Sequence, residues 1–246
     1  MGAHGKSALK CGTSEATTKH KLPQRYQEPW RQTFHDRFLA VAIPGTTILD
    51  AGSGRSPAIP VPLRPDGCRY VGLDISADEL ARAPAGSYDD IVVADLLGPP
   101  RSLLGQFDLV VSWQLLEHVR SLQRALDSIH DTLRPDGNFV GLLSGRWAIF
   151  AVANRLLPRR VGVDFLQSRL GRDPETVFRA YYDQATFKGI RRCLSHWAES
   201  EVVPRFRGGV YLSPSPRLQQ LYLAYEGWAA AGHPNLATHY LVSARK

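Results

Sequence analysis

The segment that most constrains this chain is Ile48-Leu-Asp-Ala-Gly-Ser-Gly-Arg-Ser56, an apolar run that ends in an acid and breaks into a loop with two glycines two positions apart. Glycine permits left-handed φ angles and lets the backbone approach a ligand closely, and an acid at a strand end can bind a cationic or hydroxylated group. Such a turn suits the first strand of a parallel α/β sheet. A nicotinamide dinucleotide fingerprint needs another glycine three residues after the second, and Pro57 stands there.

The remaining pattern supports that frame. Trp30, Phe34, Phe38 and Val41 recur at helical spacing over 26–41, and Pro44-Gly45 stops the helix. Strands are predicted over 46–50, 69–74, 90–94, 107–112 and 138–143. Residues 57–67 contain four prolines and read as irregular or as a short helix at most. Helices are predicted from Ser76, an N-cap with Glu79 three residues on, and over 120–133, closed by Arg134-Pro-Asp-Gly137. Strands alternating with helices imply βαβ units, and runs such as Asp108-Leu-Val-Val suit central strands covered on both faces. Later elements are a largely apolar helical stretch over 146–157, a basic loop, a helix around 187–198, a strand near 201–203, a helix from Pro216 capped by Ser215, and a last strand over 238–244.

Two further acids fall at predicted strand ends, Asp74 and Asp95. Ligands of open α/β sheets bind outside the carboxyl ends of the strands, so Asp50, Asp74 and Asp95 converge on one crevice. Asp74 lies about 20 residues beyond the loop, where a carboxylate commonly grips a ribose diol. The alternative is that it only caps the turn before Ser76. Glu117-His118 also has two readings: His118 is a general base that titrates near neutrality, or it packs at the start of a helix. Tyr181 and Tyr182, which precede a predicted helix, are candidates for the same proton-handling role. His196, His233 and His239 are further candidates, with His239 read as structural because it alternates within the last strand.

Length and composition bound the class. The 246 residues, 43% hydrophobic and 22% charged, suit one folded domain over 26–246 preceded by a polar, loosely docked or disordered arm over 1–25. The net charge of +7 is spread along the chain, with only the arm and Arg155, Arg159 and Arg160 clustered, which disfavours nucleic acid as substrate. Three separated cysteines without metal-ligand spacing predict a reducing, cytoplasmic setting and no metal. No apolar run reaches the roughly 20 residues a membrane span requires. The stretch 146–160, with Trp147, Ile149, Phe150, Leu156 and Leu157 beside basic residues, suits a lid or a homodimer contact better than a peripheral membrane contact.

In these motifs the chain resembles the class I S-adenosylmethionine-dependent methyltransferases, particularly the small-molecule group called type 11. The matching stretches are Ile48-Leu-Asp-Ala-Gly-Ser-Gly54, Val71-Gly-Leu-Asp-Ile-Ser76, Val93-Ala-Asp-Leu96, Phe107-Asp-Leu-Val-Val-Ser-Trp-Gln-Leu-Leu-Glu-His-Val119 and Leu133-Arg-Pro-Asp-Gly-Asn-Phe139, in order over 46–145. The resemblance implies a Rossmann-like, seven-stranded sheet, mostly parallel with an antiparallel last strand and helices on both faces. It implies S-adenosyl-L-methionine as cofactor, with Asp50, Ala51, Gly52, Ser53 and Gly54 around its methionine part. Asp74 would take the ribose, Ile75 and Leu96 the adenine faces, Asp95 the adenine amino group, and Ser112 and Trp113 the sulfonium.

Within that family, Ser112-Trp-Gln-Leu115 stands where enzymes that methylate amino groups of nucleic acids carry an Asn- or Asp-Pro-Pro-Tyr-like segment, which argues against them. No cysteine stands at a predicted strand end to serve cytosine C5 chemistry. The expected acceptor is a hydroxyl of a sugar, glycolipid precursor or secondary metabolite, bound by residues 146–197 and 205–237. Alternatives are an RNA- or protein-directed enzyme, or a partner subunit that binds the cofactor without turnover.

Overall fold

A computed structural model of the chain describes residues 22–156 and 179–246. Seven strands, β1 (Thr47–Ala51), β2 (Arg69–Asp74), β3 (Asp90–Val93), β4 (Phe107–Trp113), β5 (Leu133–Ser144), β6 (Glu199–Arg205) and β7 (His239–Arg245), form one sheet. Their order is β3-β2-β1-β4-β5-β7-β6. The pairs β1–β2, β1–β4, β2–β3 and β4–β5 are parallel, and β7 runs antiparallel to both β5 and β6. The chain winds outward in one direction from β1 and in the other from β4. The crevice between their carboxyl ends is therefore the topological switch point.

Helices are α1 (Gln32–Leu39), α2 (Ala77–Ala81), α3 (Leu122–Thr132), α4 (Ile149–Leu156), α5 (Phe187–Cys193) and α6 (Pro216–Ala230). On one sheet face α1 packs Phe34 and Phe38 against Ile48, Leu109, Val111 and Leu241. On the other, α3 and α5 pack Leu126, Ile129 and Ile190 against Leu49, Val110 and Phe139. Consecutive residues 48–51 of β1 and 109–112 of β4 are thus buried, as expected for central strands covered twice. Burying each phenylalanine of α1 contributes roughly 1.5–3 kcal/mol. Among the described residues no helix is long and apolar enough to cross a membrane.

The helix predicted over 26–41 starts only at Gln32. An α-helix would use the carbonyls of Tyr26 and Glu28 internally, but Arg207 takes them, its Nη2 donating at 3.3 and 2.9 Å. Arg205 pairs with Glu28 at 2.7 Å, and the Tyr26 hydroxyl donates to buried Glu226, which Arg25 also contacts. Residues 23–31 form a strap fastened to the far end of the chain. The first 21 residues of the arm lie outside the described residues, as do 157–178, including Arg159, Arg160 and Phe165.

Two other boundaries differ. β5 begins at Leu133, which pairs with Phe107 before an irregularity carries the strand to Asn138 opposite Leu109. The predicted Arg-Pro-Asp-Gly turn is that irregularity, with Asp136 at φ 62°. The helix predicted over 187–198 stops at Cys193, where the chain turns so that Trp197 enters the core.

Candidate active site

The loop after β1 is built from both neighbouring strands. Gly52 and Gly54 have φ of 74° and 50°, and a Cβ at Gly52 would lie 2.7 Å from the Leu115 side chain. The amides of Gly52 and Ser53 donate to the Leu73 carbonyl at 2.8 and 3.2 Å, which turns the loop over the end of β2. The Tyr88 hydroxyl lies 3.2 and 3.0 Å from the carbonyl oxygens of Ser53 and Gly54. The loop is held by backbone bonds from beneath.

Asp50 is fully enclosed at the end of β1, 1% exposed. Its Oδ2 accepts from the Ala58 amide at 2.7 Å and from the Tyr70 hydroxyl at 2.8 Å, while Oδ1 has no partner among the described residues. Tyr70 in turn accepts from the Ile59 amide at 3.1 Å. Burial pushes the Asp50 carboxyl up to about 6, against the opposing pull of those two hydrogen bonds and of Arg64 and Arg31. A cation brought to Oδ1 would restore its charge.

Asp74 grips the same loop from β2, its Oδ2 accepting from Gly54 N at 3.0 Å and its Oδ1 from Ser76 N at 2.9 Å. The capping alternative therefore describes a real bond, and the same carboxylate also faces the glycine loop. Each oxygen retains a lone pair for a hydroxyl. Burial raises its pKa, opposed by the two amides. Beside it Ile75, an apolar side chain, is 66% exposed. Arg55 pairs bidentately with Glu79 at 2.7 and 2.5 Å, so the Glu79 side chain does not close the expected capping box, although the Ser76 hydroxyl does accept from Glu79 N. After β3, Asp95 is exposed and accepts from Leu97 N at 2.9 Å, and Leu96 is buried.

At the end of β4, Ser112 and Trp113 point to opposite faces. Ser112 is fully buried with no hydrogen-bond partner for its hydroxyl among the described residues. Trp113 lies on the α1 face, its ring centroid 5.0 Å from Phe34 and 6.2 Å from Trp30, with the Arg31 guanidinium 4.5 Å over it. Glu117 is 3% exposed and its Oε2 is unpartnered among the described residues. Its backbone carbonyl accepts from the amides of Tyr181 and Tyr182 at 2.9 and 3.0 Å, which brings His118, Tyr181 and Tyr182 to one place. The His118 Nδ1 lies 3.2 Å from the Arg179 carbonyl, the Tyr181 hydroxyl accepts from Arg120, and Tyr182 packs in the core with φ 51°.

Sequence reasoning missed Tyr70 and Tyr88, which build the loop from strand two and the segment after α2. Alternation along β2 marks Tyr70 as buried but gives no sign of its bond to Asp50. His239, read as structural, is 1% exposed with both ring nitrogens unpartnered among the described residues. No group of three or more His, Cys, Asp or Glu side chains among the described residues is placed to hold a metal ion. The cleft lined by Arg37, Asn138 and Glu201 opens at the other end of the sheet.

A family model described as a methyltransferase domain matches residues 20–191. No curated protein sequence matches the chain. Among solved structures, an S-adenosylmethionine-dependent methyltransferase from Mesorhizobium loti is similar with a TM-score of 0.53 and 20% identity, over 89% of this chain and 99% of that one. Phosphoethanolamine N-methyltransferase 2 from Haemonchus contortus, in complex with phosphomonomethylethanolamine and S-adenosylhomocysteine, is similar with a TM-score of 0.55 and 15% identity, over 88% of this chain and 53% of that one. The same enzyme in complex with S-adenosyl-L-methionine gives a TM-score of 0.54 at 15% identity, over 88% and 52%. At these identities the likeness is one of fold. With the family match over most of its length and this sheet order, the chain belongs to the methyltransferase-domain family and has the Rossmann-like fold of the S-adenosylmethionine-dependent methyltransferases.

Proposed function

We infer that the carboxyl edge of β1, β2 and β3 binds S-adenosyl-L-methionine and that the chain passes the methyl group to a hydroxyl of a small molecule. The observation that carries this reading is the buried Oδ1 of Asp50, unpartnered among the described residues, beside a loop of left-handed glycines. An enclosed carboxylate oxygen with no donor fits the α-ammonium of the cofactor's methionine part. Ala51, Gly52, Ser53 and Gly54 form the surface against it, and Asp74 has lone pairs left for a ribose diol. The uncovered Ile75 side chain suits one adenine face, Leu96 the other, and the exposed Asp95 carboxylate the adenine amino group. Ser112 and Trp113, at the end of β4, stand at the sulfonium end.

Bound there, S-adenosyl-L-methionine supplies a methyl group on a sulfonium, a leaving group that needs no further activation. The protein's main task is then to hold the acceptor in line and exclude water, which can lower a barrier by several kcal/mol. His118, Tyr181 and Tyr182, gathered by the Glu117 carbonyl, are the groups we assign to receive or relay the acceptor's proton. The acceptor side is assigned to 146–197 and 205–237, within a single domain over 26–246. Its class is a sugar, glycolipid precursor or secondary metabolite hydroxyl.

The experiment is transfer of labelled methyl from S-adenosyl-L-methionine to a panel of hydroxyl- and amine-bearing acceptors. Label on hydroxyl compounds is the expected result, with His118→Ala lowering kcat at least about tenfold. Transfer to amines alone would remove the hydroxyl assignment.

A further inference from the structure

His239 is the first residue of β7 and pairs with Ser144 at the carboxyl end of β5 and with Arg205 at the carboxyl end of β6. It therefore stands at the ligand edge of the sheet. Two residues on, Leu241 packs with Phe34 on the α1 face, so His239 points to that face too. Its ring centroid lies 4.5 Å from Trp30 and 5.6 Å from Phe150, and Trp30 reaches Trp113 at 6.2 Å. One line of rings thus runs from the end of β4, beside the switch point, to the start of β7.

Packing alone does not account for an imidazole there. Leaving a buried polar atom unpaired costs more than a favourable aromatic contact returns. Phenylalanine would provide the contacts without the cost. We propose that the acceptor site extends from Phe150, within 146–197, across to Trp30, Trp113 and His239, and that His239 holds a planar, hydroxylated acceptor of neutral or negative charge through a ring nitrogen. The proposal rests on the reading that the adjoining edge holds the methyl donor.

Charge selects the acceptor class. Burial, with Arg207 and Arg205 adding to it, lowers the His239 pKa to about 3, so the ring is neutral and offers one donor and one acceptor, either of which a hydroxyl can meet. Such a ring is a poor proton sink, which makes His239 a binding and orienting group and leaves proton transfer to other residues. The Arg31 guanidinium lies 4.5 Å over the Trp113 ring and that of Arg207 5.2 Å over Trp30. The protein's own cations already occupy these π faces. An ammonium-bearing acceptor would meet two fixed positive charges, whereas a carboxylate would be attracted.

The test is a ligand-observed NMR titration of the full chain with phenol, 4-hydroxybenzoate and tyramine, with and without saturating S-adenosylhomocysteine. Phenol and 4-hydroxybenzoate bind saturably and tyramine at least about tenfold more weakly; His239→Phe loses about tenfold for both hydroxyaromatics and titrates with S-adenosylhomocysteine as the wild type does. Arg31→Gln, an independent variant, narrows the gap between tyramine and 4-hydroxybenzoate. Unchanged fragment binding in His239→Phe, strongest binding by tyramine, or no binding by any fragment would each overturn the pocket. If S-adenosylhomocysteine alone fails to bind, it is the methyl-donor reading that falls, and the titrations without it still judge the pocket.

Discussion

Replacing Asp50 with asparagine separates the charge of this residue from its structural bonds. The amide keeps the shape and the oxygen that accepts from Ala58 N at 2.7 Å and from the Tyr70 hydroxyl at 2.8 Å. It removes the negative charge and puts an NH2 in place of the unpartnered Oδ1. Burial raises this carboxyl from 3.8 to about 6 in the folded protein. For an acid shifted upward, the stabilising contribution is complete below the unfolded value and disappears as pH rises through the folded one. The loss between about pH 4 and 6 is on the order of 3 kcal/mol. Asparagine escapes that loss but buries an amide group costing about 1–3 kcal/mol, so without cofactor Asp50→Asn is at least as stable as wild type at pH 7.5. Cofactor binding moves the other way. A charge-assisted bond to the ammonium is worth about 1.5–3 kcal/mol, so S-adenosylhomocysteine binds roughly 10- to 150-fold more weakly. Calorimetry across pH 5–8 adds a second signature: wild-type affinity falls as pH drops through about 6, and the variant's profile is flat over that range. Wild-type affinity in Asp50→Asn, or a loss of several kcal/mol in its stability, would refute this reasoning.

Other perturbations follow from the same loop. Tyr70→Phe removes a buried donor to Asp50 and leaves the Ile59 amide without its acceptor, a cost of about 2–4 kcal/mol that scanning calorimetry should show as a Tm lower by roughly 5–12 °C. The same variant moves the pH midpoint of S-adenosylhomocysteine affinity upward, because Tyr70 holds the Asp50 pKa down. Gly52→Ala must adopt φ 74° and place a methyl 2.7 Å from Leu115, which costs about 2–4 kcal/mol in the binding conformation and weakens S-adenosylhomocysteine at least about tenfold. Leu115→Ala in the same chain should recover part of that affinity, and no recovery would show that the strain, not the contact, dominates.

The sheet was legible where local pattern and tertiary demand agree. Residues 69–74 are both predicted and observed as β2, and Ser76 and Ser215 start α2 and α6 as their capping positions indicate. The strand predicted near 201–203 extends over Glu199–Arg205, because general strand propensity disfavours Glu199, Ser200 and Pro204 while pairing with β7 carries the edge strand through them. The shortened α1 has a cause more than 170 residues away, in the arginines at 205 and 207 that bind the strap, and periodicity carries no such information. The site divides in the same way. Acids after strand ends and left-handed glycines announce themselves, so Asp50, Gly52, Gly54 and Asp74 could be found by spacing. Tyr88 and His239 could not, since one lies in an irregular segment and the other looks like any alternating core residue until its nitrogens are found without partners.

Titration calorimetry of the full chain with S-adenosylhomocysteine addresses the central claim most directly. Saturable, one-to-one heat that is strongly reduced in Asp74→Ala is the outcome this structure demands. An absence of binding heat, or equal affinity with and without that carboxylate, would mean that the edge of β1 and β2 is not where a nucleoside sits.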